Sequence, residues 1–350
     1  MSSHRPSVMA TRHLVVSGHY WASLAGHGIL EAGGNAIDAG VAVGLAINVL
    51  ESEMTGFAGV APTLIRRAGD GQAVTFVGVG PWPQALSAEY FRTHFGGRIP
   101  PGILNTVVPA APDIWLSALE RFGTMSFGEV AAAAISFARD GFPMYSLMAE
   151  VLTEHLPEYQ DLPSTAAIFL PQGRVPRVGE RFVQRDLGAT LQYLADEEAA
   201  SRGGREAGLQ AARRAFYEGD IARAIVAQQE EQGGFMTRDD LARFRAEIMP
   251  ATEARFGEYA LYGCGPWSQG PMILHAAQML ARFPLREMGH NTARYIHTVA
   301  EALKLAAADR EAYFGDPAHI DVPLESILAE EFTNHRAANI GETAVPTMPA

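Results

Sequence analysis

Gly33-Gly34-Asn35-Ala36-Ile37-Asp38-Ala39 leads directly into Gly40-Val41-Ala42-Val43-Gly44-Leu45-Ala46-Ile47-Asn48-Val49-Leu50. The paired glycines close a helix expected over about residues 20–32, because glycine adopts the left-handed backbone that ends a helix. Asn35 is placed to cap the next helix, with Asp38 three positions on. From Ala36 to Leu50 small and branched residues occupy every face. A helix apolar all round is buried, and its small residues let neighbouring backbones approach closely. The run is too short for a membrane span and carries Asp38 and Asn48.

Upstream, His13-Leu14-Val15-Val16-Ser17 has the character of a strand, after a lead of residues 1–11 expected to be disordered. Downstream, residues 54–62 form a glycine-rich turn. Strands are expected over 63–67 and 73–79, joined as a hairpin by Ala68-Gly69-Asp70-Gly71. A helical pattern covers 112–138, and amphipathic or short helices are expected at 186–195, 198–213, 216–228 and 239–244. The 198–213 helix reads as exposed. A further strand falls at 258–262. The clearest helix starts at the Asn291-Thr292 cap and ends at Gly315-Asp316-Pro317. Ile296, Val299, Leu303, Ala306 and Ala307 form its apolar stripe. The pattern is α/β (α+β), with no internal repeat and no linker.

The chain has 350 residues, 48% hydrophobic and 19% charged, which excludes extensive disorder. Its length allows roughly two domains or one large α/β unit. With Lys plus Arg at 27, Asp plus Glu at 39 and a net charge of −12, it repels phosphate backbones, so no nucleic-acid partner is expected. The nearest basic stretch, Arg202–Arg214, is interrupted by Glu206 and reads as a solvated helix face. One cysteine, Cys264, excludes an intramolecular disulfide framework and a multi-cysteine zinc site. A cytoplasmic location is expected, since no secretory signal is visible and a reducing compartment fits the cysteine usage. No membrane partner is expected.

The usual catalytic constellations are missing. There is no P-loop, no Gly-x-Ser-x-Gly elbow and no His-Glu-x-x-His. Gly78-Val79-Gly80-Pro81 lacks the third glycine of a dinucleotide fingerprint. His290 and His297 are spaced to share a helix face, either as metal ligands or as ordinary surface histidines. Cys264 reads as a thiol nucleophile or as a buried thiol. Three glycine-rich segments, 33–39, 55–59 and 265–271, are either structural turns or places where backbone meets a ligand.

These motifs together resemble the large subunit of the γ-glutamyltransferase family of N-terminal-nucleophile hydrolases, from about residue 12 to about 340. The segment from Leu24 to Ala39 is similar to the family's N-terminal signature, and Glu51-Ser52-Glu53-Met54-Thr55-Gly56-Phe57-Ala58-Gly59 to its glycine turn. Val108-Pro109-Ala110-Ala111, Arg139-Asp140-Gly141-Phe142-Pro143, Phe216–Ala222, Gly234–Leu241 and Glu301–Pro317 follow in the family's order. The resemblance implies part of a four-layer αββα sandwich completed by a small subunit. It implies a precursor that cuts itself and frees a threonine as nucleophile, with its own α-amine as base. It implies no metal or other cofactor.

Thr343 and Thr347 do not resemble the family's small-subunit start. No catalytic residue is therefore expected within this chain, and the nucleophile is expected on an obligate small (β) subunit from the same precursor. Residues 341–350 are expected to be a loose tail at the processing site, and a dimer of the two-chain unit is a further expectation. In the family an arginine binds the glutamate α-carboxylate. Aligning the motif's proline on Pro83 puts Val79 at that position, and valine cannot make a charge-assisted bond. Arg66 and Arg67 on the neighbouring strand are the compensating candidates. Val79, Gly80, Trp82 and Phe57 are expected to contact substrate, with the two aromatic rings giving an apolar lining. Trp82 reads equally as core packing. The expected activity is amide hydrolysis or acyl transfer on a small-molecule amide other than a typical γ-glutamyl one. A true γ-glutamyltransferase or glutathione hydrolase, and a non-catalytic binding protein, are the alternatives.

Overall fold

A computed structural model describes residues 7–346 and divides the chain into two compact units. One takes the chain up to Ala61 together with Val79–Ala246; the other takes Pro62–Gly78 and the chain from Glu247 onward. No single cut separates them, because the hairpin strands lie in the unit that also holds the later half-chain.

The first unit is built on helices. Tyr20–Glu31 and Ala36–Leu50 pack together, and Phe127–Asp140 lies against both Ala36–Leu50 and Arg185–Ala200. Gly33, at φ +96°, closes the first helix. Asn35 Oδ1 accepts from Ile37 N and Asp38 N, and Asp38 Oδ2 accepts from Asn35 N at 2.8 Å, completing the expected cap as a reciprocal box. The close approach expected of the buried helix is made by a tryptophan. A Cβ on Gly44 would stand 2.6 Å from Trp115 Cη2, and the indole Nε1 donates to Asn48 Oδ1 at 3.2 Å.

Asp38 also does what local sequence does not show. It is fully buried and accepts from Thr124 N, Thr124 Oγ1 and Met125 N at 2.7–3.1 Å. It thereby ties the helix start to the turn where the expected 112–138 helix breaks into Ala111–Phe122 and Phe127–Asp140. Ser126 and Glu129 form a second capping box at that restart.

Several expectations are corrected here. Residues 13–17 are extended, with alternating exposure, but form no strand. The expected 198–213 helix runs from Gly204 to Tyr217, and it is not a solvated face. It buries Leu209, Ala212, Arg213, Phe216 and Tyr217. Arg213 lies 3% exposed, pairs with the buried Asp113 through Nε, and stands 4.7 Å over the Tyr217 ring. Tyr217 donates to Pro109 O at 2.7 Å and accepts from Asp113 N at 3.1 Å. Arg213 Nη2 also donates to Phe244 O, and Asp113 Oδ2 accepts from Ala246 N at 2.6 Å, which offsets part of the cost of burying the two charges.

The second unit holds an antiparallel sheet of Thr63–Arg66, Ala73–Phe76 and Ile248–Pro250, in that order, and a separate hairpin of Thr252–Phe256 with Tyr259–Gly263. The expected 68–71 connection is present, closed by Arg67 N donating to Gln72 O at 2.9 Å. The helices Gly270–Leu280, Ala293–Tyr313 and Glu330–Ala337 bury Ala276, Met279, Ala302, Leu305, Ala306 and Ala337 between them. A polar node joins all three: His275 Nε2 donates to Asp309 Oδ2 at 3.0 Å, and Arg336 grips both oxygens of Asp309 at 2.8 and 3.0 Å.

The long helix is capped by Thr292 as expected, but only Ala306 of the expected stripe is buried. Thr298, Glu301, Ala302, Leu305, Ala306, Ala308 and Asp309 are buried, while Ile296 is 55% and Leu303 37% exposed. The expected loose tail is held along this helix as far as it is described. His297 Nε2 donates to Gly341 O at 2.8 Å, Lys304 Nζ to Val345 O, and Val345 N to Glu301 Oε2 at 3.4 Å. Residues 347–350 of that tail, with Thr347, and residues 1–6 of the lead lie outside the described residues. Residues 7–11 are exposed and carry no helix or strand.

Candidate functional site

Residues 79–83 carry no regular structure but are fixed on both sides. Val108 N donates to Pro81 O at 2.9 Å, and Gln84 N donates to Asp240 Oδ1 at 3.0 Å. Gly80 sits against the Val108 carbonyl so closely that a Cβ would lie 1.7 Å from its oxygen. Glycine is required there because two backbones meet. Asp240 is itself buried. Burial pushes its carboxyl up, but hydrogen bonds from Gln84 N and from Thr237 outweigh this and leave it below the usual range.

On that anchored segment Val79 and Trp82 point outward, 38% and 36% exposed, with the Trp82 ring edge-on to Phe91 at 5.5 Å. Phe57 does not join them. It is 4% exposed and packs edge-on against Phe216 at 5.8 Å, so its ring belongs to the core. The turn that carries it is structural: Gly59 O accepts from Ala110 N and Ala111 N, both at 3.0 Å, satisfying donors at the start of the Ala111–Phe122 helix. Arg67 is engaged by Asp70 and Gln72 within its own hairpin, and Arg66 is exposed with Leu64 on the strand face opposite Ile65.

Beside the glycine turn stand groups that motif reading did not single out. Tyr145 OH donates to Glu53 Oε1 at 2.6 Å, while Glu53 Oε2 and Ser52 Oγ are buried without a hydrogen-bond partner. Burial, and then the nearby Glu53 charge, raises the Glu51 carboxyl; burial, and then its hydrogen bond to Glu53, raises the Tyr145 phenol. Glu53 and Tyr145 are 92 positions apart, so nothing local reports the contact.

The other candidates resolve simply. Cys264 is half-buried and burial pushes its thiol up, opposite to what a thiol nucleophile needs. His290 lies near Tyr295 and His297 bonds the Gly341 carbonyl, so the two do not share an ion. The 265–271 segment is a turn, with Ser268 Oγ accepting from Gly270 N and donating to Gly265 O.

The chain belongs to the gamma-glutamyltranspeptidase family, whose model matches residues 22–349. It is 33% identical to the glutathione hydrolase-like YwrD proenzyme of Bacillus subtilis, over 97% of this chain and 62% of that protein. It is 32% identical to the acylase ACY 1 proenzyme of a Pseudomonas strain, over 94% of this chain and 58% of that protein. The chain thus spans about three-fifths of the length of these curated relatives. A crystal structure of Helicobacter pylori gamma-glutamyltranspeptidase superposes with a TM-score of 0.87 at 26% identity, covering 97% of this chain and 95% of that one. The mixed helix-and-sheet fold is that of these N-terminal-nucleophile hydrolase structures.

Proposed function

We propose that this chain is the large-subunit part of an autoprocessed amide hydrolase or acyltransferase whose substrate is not a typical γ-glutamyl amide. The small-subunit segment supplies the nucleophilic threonine. Its hydroxyl adds to the amide carbonyl, its α-amine takes the proton, and the amine leaves carrying that proton. Backbone donors hold the oxyanion, and water or an amine then releases the acyl group. The proenzyme names of the relatives support processing into two parts. The single cysteine supports a cytoplasmic location.

Val79 is the observation that carries the substrate reading. It stands exposed on a rigidly anchored segment, at the position that in γ-glutamyl enzymes holds the carboxylate-binding arginine. An unpaired carboxylate in a pocket costs several kcal/mol of binding. Arg67 is already engaged in its hairpin. Val79 and Trp82 offer an apolar edge that suits an acyl group without a free α-carboxylate.

The test is turnover of γ-glutamyl-p-nitroanilide against simple acyl p-nitroanilides by the processed two-part enzyme. Acyl anilides are expected to be preferred by at least about tenfold in kcat/KM. Preference for the γ-glutamyl compound would refute the substrate reading. Turnover by this chain alone would refute the subunit reading.

A further inference from the structure

We propose that His13, His27 and Glu31 form a surface site for a divalent transition metal of the Zn2+ class, clipping the segment around residue 13 onto the Tyr20–Glu31 helix. His27 and Glu31 are four positions apart on that helix and therefore share a face. His13 reaches the same face from the extended segment before the helix. That segment is laid down by Val15, whose Cγ1 would stand 3.2 Å from a Cβ on Gly26.

The three side chains each offer a ligand atom, and these lie within 4.8 Å of one another. His13 Nε2 is 3.0 Å and His27 Nε2 4.0 Å from Glu31 Oε1, and the two imidazole rings meet edge-on at 5.1 Å. Ligand atoms about 2.0–2.2 Å from a tetrahedral ion stand roughly 3.3 Å from each other, so small side-chain rotations suffice. Two imidazoles and one carboxylate select a borderline ion such as Zn2+ over Mg2+ or Ca2+, which prefer all-oxygen shells. His27 and Glu31 are about half exposed, so a water can complete the fourth position.

Arg12 is the competing group. It donates to Glu31 Oε1 at 2.7 Å and keeps that carboxyl below its usual range. An ionised carboxylate is the form a metal needs. The Arg12 side chain is 72% exposed and can swing off into water, leaving both carboxylate oxygens to the ion. Without the ion, His13 and Arg12 both converge on one carboxylate oxygen. With it, the same oxygen, His13 and His27 have one shared partner. The consequence is that metal tightens the hold of the segment around residue 13 on the helix.

Titration of the intact protein with ZnCl2 at neutral pH, followed by calorimetry, tests this. One saturable site per chain is expected, weakened by about tenfold or more in the His13→Ala/His27→Ala variant. Equal Zn2+ affinity in the two proteins would overturn the proposal. A second measurement needs no variant: carbethoxylation of histidines mapped by mass spectrometry. Zn2+, but not Mg2+, is expected to protect His13 and His27 together. Protection of neither, or equal protection by Mg2+, would overturn it.

Discussion

Val79 concentrates the chemistry of the proposed site into one side chain. The segment around it is held by Pro81 O and by Gln84 N, so a substitution at 79 changes the exposed group without moving its backbone. Val79→Arg in the two-part enzyme is expected to lower KM for γ-glutamyl-p-nitroanilide by about tenfold, the worth of one charge-assisted hydrogen bond. Kinetics with both substrate types check this; an unchanged KM would mean that residue 79 does not face the acyl group. At this scale the sequence is legible where partners are local. Asn35 and Asp38 are three positions apart, and their cap is readable from the string. The second role of Asp38, toward Thr124 and Met125, spans 86 and 87 positions and leaves no local trace. The same holds for Arg213, read as solvated although it answers Asp113 a hundred positions away.

Among elements, the long Ala293–Tyr313 helix shows how an apolar stripe misleads. Counting apolar residues selects Ile296, Val299, Leu303, Ala306 and Ala307, of which only Ala306 is buried. The fold buries the adjoining face instead, because Glu301 and Asp309 on it find Lys304 and the His275–Arg336 pair. A paired buried charge is invisible to hydropathy, and the expected 112–138 pattern likewise passed over the break between Ala111–Phe122 and Phe127–Asp140, which falls at Gly123 and the Ser126-x-x-Glu129 box. Ile296 and Leu303 stand seven positions apart, on one face, with Val299 partly buried between them. Exposed apolar side chains aligned on a helix mark an interaction surface. The double variant Ile296→Glu/Leu303→Glu is expected to lose association with the proposed small-subunit segment while keeping its helical circular dichroism. Co-purification of the two parts reads this. Undiminished association would place the companion elsewhere.

Across the whole molecule, the two units differ in what holds their polar interiors, and this gives the chain a pH dependence that can be worked out by sign. In the first unit Asp38 and Asp240 are both buried, and both are held below their usual range by donors that outweigh burial. A carboxyl depressed by folding contributes stability that is present above its unfolded pKa and lost as pH falls through the folded value. Glu51, raised by burial, acts in the opposite direction and favours the folded state in acid, but Glu31, Glu129, Asp140 and Glu180 are depressed along with Asp38 and Asp240. The first unit is therefore expected to lose stability on acidification below about pH 4, the ordinary carboxyl range. Asp38 is the group to test, since four donors converge on it: Asn35 N, Thr124 N, Thr124 Oγ1 and Met125 N. Asp38→Asn keeps the shape but turns part of an acceptor into a donor facing donors. It is expected to cost about 2–4 kcal/mol at neutral pH and to flatten the acid limb of the stability curve. Urea unfolding measured from pH 7 down to about pH 3 distinguishes this from simple loss of packing, which lowers stability equally at every pH. A parallel downward shift of the whole curve would show that the loss comes from the misplaced amide donor and not from the titrating charge of Asp38.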